Sequence, residues 1–240
     1  MTAAYDTAVG IVAVNSPDFV QTTLALLQQG QVTVTLRDAH DAVRTRIGKV
    51  VHVITPEPGH GWFSPAAHTD HSDRVAQVMF TSGTQGEPKG VVLTHRALSD
   101  VVARLNHVMQ VDSTIREYVG VPVYHSFGFG RCRAVAAVGG QIFLPEHGFN
   151  PAEIAALLRA NQINAISAVP SLWRVLLAAN LITPELAQRV RWIEIGSQSM
   201  SAAEKAQLRQ LFCKAIIVQH YGLTEASRST FLAIHSATAD

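Results

Sequence analysis

Short apolar, β-branched runs alternate with helix-start signals along almost the whole chain, and this alternation limits the possible folds more than any other feature. Residues 8–14 (AVGIVAV) read as a buried strand. Ser16-Pro17 then supplies an N-cap and a proline at the first helical position, and Gly30 stops the helix. Residues 31–36 (QVTVTL) alternate strictly, as a strand with one buried face does. Further strands are expected at 50–54, 75–80, 91–93, 119–123, 142–144, 165–169, 192–195 and 216–218, with a helix over 96–109. Asn150-Pro151-Ala152-Glu153, Thr183-Pro184-Glu185 and the capping box Ser201-x-x-Glu204 open three more helices. Strands separated by helices predict an α/β fold with mixed, mostly parallel sheets and crossover helices on both faces.

The 240 residues allow one large domain or two small ones. The best seam is the polar loop 55–74, rich in Pro, Gly, His, Ser and Asp. Apolar residues make up 48% and charged residues 15%, which excludes disorder of the whole chain. Nineteen basic residues against eighteen acidic ones give a net charge of +1, and so no electrostatic reason to expect nucleic-acid or anionic-membrane binding. Cys132 and Cys213 are too few for a disulfide scaffold or a cysteine zinc site. No apolar run approaches the ~20 residues that span a bilayer. The opening MTAAYDTAVG lacks the basic and apolar regions of a secretory signal, so the expected setting is cytoplasmic.

The most informative stretch is Phe80-Thr-Ser-Gly-Thr-Gln-Gly-Glu-Pro-Lys-Gly90. Gly83, Gly86 and Gly90 let a backbone approach a ligand closely. Thr81, Ser82 and Thr84 offer hydroxyls, and Lys89 offers a mobile cation. Amides, hydroxyls and one ammonium converging after a strand suit a polyphosphate, although the same composition also suits a surface loop. The lysine lies between Pro88 and Gly90, which is not Walker A spacing and argues against a P-loop ATPase.

TSGTQGEPKG resembles the T-S-G-T-T-G-x-P-K-G signature of the adenylate-forming superfamily, which includes acyl- and aryl-CoA synthetases and peptide-synthetase adenylation domains. LLQQGQVTVTL (26–36), PVYHSFGFG (122–130), GSQSM (196–200) and QHYGLTEAS (219–227) are similar to further segments of that superfamily, in its order. The resemblance implies ATP-dependent activation of a carboxylic acid as acyl-AMP, followed by transfer to a thiol of CoA or of a carrier protein's phosphopantetheine. It makes residues 1–74 an N-terminal α/β subdomain and residues 75–240 a nucleotide- and acyl-binding subdomain of one larger domain.

Residue by residue, the resemblance implies that Thr81, Ser82, Gly83, Thr84, Gly86 and Lys89 hold the β- and γ-phosphates of ATP. Gly196, Ser197 and Gln198 form the adenine shelf, Tyr221 stacks on the base, and His220 and Gly222 flank it. Thr224 donates to the α-phosphate, and Glu225 binds Mg²⁺. His125 sits beside the substrate carboxylate, with Phe127, Val169 and Gly196 around the acyl group. His125, Thr224, Glu225 and Lys89 are the expected catalytic set. Gln85 and His220 depart from the family's usual second small hydroxyl residue and asparagine. Taken singly, these residues also fit plain packing or a solvated helix start; their shared order carries the reading.

Amino-acid-activating relatives hold the substrate ammonium with an aspartate near positions 124–127. Here Tyr124-His125-Ser126-Phe127 has no acidic residue, and an unpaired buried ammonium is costly, so an aryl or fatty acid without an α-amino group is expected. Phe129 and Trp173 are further candidates for an apolar pocket.

The resemblance also implies later segments: an aspartate for the ribose and a small domain carrying a catalytic lysine. None of the four lysines follows Glu225, and only fifteen residues do. The expectation is a truncated N-terminal core that needs a C-terminal domain or a partner subunit, or that self-associates through the surface left bare. The alternative is a non-catalytic nucleotide- or acyl-binding homologue that regulates a full-length ligase. In loop 55–74, His60, His68 and His71 with Asp70 and Asp73 suit a transition metal, but a polar linker is the preferred reading.

Overall fold

The computed structural model describes residues 5–40, 49–81 and 89–236. Two sheets carry the fold. The first contains β1 (Ala8–Val12), β2 (Val32–Leu36), β3 (Val50–Ile54), β5 (Val75–Thr81) and β6 (Lys89–Thr94), in the order β3-β1-β2-β5-β6. All its pairs are parallel except β5–β6. The second has the order β12-β11-β10-β9-β7-β8-β4. It comprises β4 (Gly61–Phe63), β7 (Arg116–Val119), β8 (Gln141–Leu144), β9 (Ala165–Ala168), β10 (Trp192–Ile195), β11 (Ile216–Tyr221) and β12 (Thr230–Ala233). Its five central strands are parallel, and the edge strands β4 and β12 are antiparallel to their neighbours. The mixed α/β architecture read from the sequence is therefore the observed one. The sheets interleave along the chain: β5 and β6 join the strands that precede residue 55, and β4 joins those that follow.

Helix α1 (Pro17–Gln28) starts where Ser16 accepts the Phe19 amide, and buries Phe19, Leu24 and Leu27. Helix α2 (His95–Met109) is capped by Thr94 and closed by Gln110 in the left-handed region. Helix α3 (Ser126–Ala137) is buried over nearly its whole circumference, Phe127 to Ala136. One core joins all three to both sheets, with Phe19 packed edge-on against Phe129 at 6.2 Å. Helices α4 (Pro151–Arg159), α5 (Pro170–Ala179), α6 (Pro184–Ala187) and α7 (Ala202–Leu211) cover the second sheet through a second core. The Ser201–Glu204 capping box forms as the sequence predicts.

The strand expected at 119–123 lies earlier, at β7. Arg116 and Glu117 hide it in the sequence, yet Arg116 is paired with backbone carbonyls and Glu117 is fully buried. The loop 55–74 is pinned by polar contacts. His68 Nε2 stands 2.7 Å from His95 Nδ1, and Ser99 donates to the Asp70 carbonyl at 2.9 Å. Burial, His95 and then Arg133 push the His68 pKa down to about 4, so this imidazole packs as a neutral ring. Among the described residues no group of three or more metal-capable side chains forms.

Candidate functional site

Thr81 and Lys89 face each other in register at the open end of the β5–β6 pair. Ser82, Gly83, Thr84 and Gly86, also expected here, lie outside the described residues. Lys89 is exposed and makes no ion pair among the described residues. Two residues back on β5, Met79 lines a cavity of ≈ 250 Å³. Strand side chains repeat every second residue, so Thr81 continues the face of β5 that the cavity uses.

The opposite wall comes from the segment after β11. Tyr221 ends that strand and is 67% exposed. The chain then turns tightly: Leu223 and Ala226 exchange amide-to-carbonyl hydrogen bonds at 3.2 Å in both directions. Thr224 and Glu225 sit at the tip between them. Glu225 lines the same cavity, is exposed, and has no hydrogen bond or ion pair among the described residues. A free carboxylate beside a threonine hydroxyl suits one hard divalent cation that keeps oxygen ligands from phosphate and water, so the residues present fit Mg²⁺.

Helix α3 supplies the floor. His125 is its N-cap and makes no side-chain capping bond, which leaves the first-turn amides directed outward. Partial desolvation lowers the His125 pKa from its ordinary value, so the neutral ring prevails at pH 7. Ser126 and Phe129 reach the cavity. Phe127 is buried and packs edge-on against His220 at 4.9 Å. Gly196 follows β10 because a Cβ there would lie 2.0 Å from His220 Cε1. Ser197 takes a left-handed φ of 71°, and the Gln198 carbonyl accepts from Gln219 at 3.2 Å. Val169 caps α5 and is half-buried against the first core. Trp173 is a core residue. It is fully buried in the second core, donating to the Ala168 carbonyl at 3.2 Å and packing on Phe212.

Sequence reasoning missed what holds these parts together. Glu194, fully buried on β10, accepts from Arg228 Nε at 2.7 Å and contacts Arg131 Nη1 at 2.9 Å. His220 Nδ1 stands 2.6 Å from the same carboxylate, a close contact without good hydrogen-bond alignment. Desolvation pushes the Glu194 pKa up. Arg228, Arg131 and His220 together overcome it and hold the carboxyl well below the usual range. Arg228 also donates to the Phe127 carbonyl at 3.1 Å, which ties the Thr224–Glu225 turn to the start of α3. Charged residues within apolar runs, Glu194 in WIEI and Arg131 in GRCR, were the available signal.

Two mostly parallel sheets, with the β5–β6 pair of one and the Y-G-x-T-E turn that follows β11 of the other meeting at one cavity, mark an α/β core of the adenylate-forming class. The model of the AMP-binding enzyme family matches residues 47–239, and the chain belongs to that family. It is 29% identical over 182 residues to a 2-succinylbenzoate–CoA ligase of Arabidopsis thaliana, covering 74% of this chain and 32% of that protein. Over 161 residues it is 29% identical to the nonribosomal peptide synthetase penN of Penicillium thymicola, covering 67% of this chain and 5% of that protein. The fold matches ATP-bound MatB from Rhodopseudomonas palustris with a TM-score of 0.77 and 20% identity, covering 99% of this chain and 54% of that one. The chain thus spans a third or less of these curated relatives and about half of the solved chain. Among the described residues no helix is long and apolar enough to cross a membrane.

Proposed function

We propose that this chain is the nucleotide- and acid-binding part of a cytoplasmic enzyme that activates a carboxylic acid as acyl-AMP for transfer to CoA or a carrier-protein thiol. The acid is one without an α-amino group. The observation that carries the reading is that Met79 and Leu93 of the β5–β6 pair, Ser126 of α3 and Glu225 line one cavity. Bound Mg²⁺ would supply charge neutralisation on the phosphates. Thr81 and Lys89, with Ser82, Gly83, Thr84 and Gly86, hold the β- and γ-phosphates, and Lys89 spreads their charge. The exposed Tyr221 ring offers its face to adenine beside Gly196, Ser197 and Gln198. Thr224 donates to the α-phosphate, and Glu225 holds the cation.

His125 and the outward amides of α3 hold the acid carboxylate by its oxygens in line with the α-phosphorus. Phe127, Val169 and Gly196 flank the acyl group. The carboxylate displaces pyrophosphate, so the chain's contribution is position and charge stabilisation rather than covalent chemistry. The absence of an acidic partner at positions 124–127 supports a substrate without an ammonium group.

Calorimetric titration of this chain with ATP, with and without Mg²⁺, tests the reading. Glu225→Gln should abolish the gain that Mg²⁺ gives. Lys89→Met should weaken ATP about 10-fold or more, the worth of one charge-assisted contact. An ATP affinity indifferent to both substitutions would sink the assignment.

A further inference from the structure

The buried charges around α3 do not balance. Arg131, Arg133 and Arg228 are at most 4% exposed, and among the described residues only Glu117 and Glu194 are buried carboxylates. Arg131 takes both: its Nε lies 2.7 Å from Glu117 Oε1, and its Nη1 lies 2.9 Å from Glu194 Oε2. Arg228 takes Glu194 at 2.7 Å, and Ser167 donates to Glu117 at 2.5 Å. Both carboxylates are thereby occupied.

Arg133 is left over. Its Nε and Nη1 find no hydrogen-bond partner, and it enters no ion pair among the described residues. Its guanidinium carbon lies 5.4 Å from the Phe129 ring centroid, a weak compensation for a buried charge. Its charged neighbour Arg228 has the same sign, and nearby His68 is held neutral. Burial, then Arg228, disfavours the charged form of Arg133. A guanidinium does not give up its proton in a protein, so the excess charge persists until an anion meets it.

Arg133 lines the cavity that Ser126 and Glu225 also line. The two carboxylates of that lining, Asp100 and Glu225, are exposed, and neither pairs with Arg133. Met79, Leu93, Leu98 and Phe129 give the cavity an apolar wall. The volume of ≈ 250 Å³ admits a small organic acid.

We propose that the acid bound here carries a second anionic group, held by Arg133: it is a short dicarboxylic acid. This rests on the reading above, in which His125 and the α3 amides hold the reacting carboxylate. Because Phe127, Val169 and Gly196 are not part of the cavity lining, it moves the acid's chain from those residues to Phe129 and Arg133. Arg133 then sets specificity at the end of the acid remote from the reaction.

Titration of this chain separates the two claims. Succinate or glutarate should bind at least 10-fold more tightly than butyrate or valerate, and Arg133→Met should remove that preference while ATP binding persists. Without ligand, Arg133→Met should melt at or above the wild-type temperature, since it deletes an unpaired buried charge. Succinate should raise the melting temperature of the wild type only. Equal binding of succinate and butyrate, or tighter binding of inorganic phosphate than of succinate, overturns the dicarboxylate assignment. So does an Arg133→Met protein that unfolds without ligand. ATP binding with no succinate preference would leave the adenylation reading standing. Succinate preference without ATP binding would do the reverse.

Discussion

Replacing Glu194 by alanine should destabilise the chain by about 3–5 kcal/mol, the range for breaking a buried ion pair from one side. Three buried guanidinium groups, Arg131, Arg133 and Arg228, would then face Glu117 alone. Against a typical total stability of about 5–15 kcal/mol, much of the protein would be unfolded or insoluble at 37 °C. Glu194→Gln keeps the shape and part of the hydrogen bonding, so its loss should be smaller, yet still larger than for an exposed glutamate such as Glu146. Urea midpoints for the three variants check the order. A loss below about 1 kcal/mol for Glu194→Ala would mean that the cluster is not a charge hub.

The same group sets a pH dependence. The folded pKa of Glu194 is depressed below that of an unfolded glutamate, so its contribution is complete above the unfolded value of about 4.3. It fades as pH falls through that value toward the lower folded pKa. Wild-type stability should therefore drop steeply below about pH 4, and Glu194→Gln should flatten that limb.

The second large effect is expected at Gly128, in the first turn of α3. A Cβ there would lie 2.2 Å from the Pro122 carbonyl oxygen, 2.7 Å from its carbon and 2.9 Å from Val123 Cα. All three neighbours are backbone, so no rotamer change relieves the contact. Gly128→Ala must push the start of α3 away from the segment before it, at a cost of about 3 kcal/mol or more. His125, Phe127 and the Arg228 contact to the Phe127 carbonyl would shift together, so ATP and acid binding should fall along with stability. Gly139 provides the contrast. Its φ is +72°, but nothing lies within 4 Å of its Cβ position. Gly139→Ala should cost only about 1 kcal/mol, with binding intact. Equal melting temperatures for the two variants would remove the steric argument.

Much of the fold is legible because its signals are local. The Ser16-Pro17 start, the Ser201–Glu204 capping box and the alternation of QVTVTL each act within one turn or one strand. Where neighbours along the chain mislead, the reading slips. Helix α3 carries Gly128 and Gly130 and is buried nearly all round, with Arg131 and Arg133 among its buried residues, so no 3.6-residue period shows. Strands β4 and β12 are three and four residues long and exist only through their antiparallel partners β8 and β11.

The candidate site divides in the same way. The sequence by itself determined the family, through the glycine-rich string at 80–90, the Y-G-x-T-E string at 221–225 and the order in which they come, because each motif is short and contiguous. The tertiary structure alone decided that Glu194, Arg131 and Arg228 form one buried cluster, that Trp173 is core, and that Arg133 is left without a counter-ion beside a small cavity. Those outcomes depend on which side chains meet across the sheet and helix layers. A buried charge takes its energy from such neighbours, 34 residues away for Glu194 and Arg228, and sequence spacing does not encode that distance.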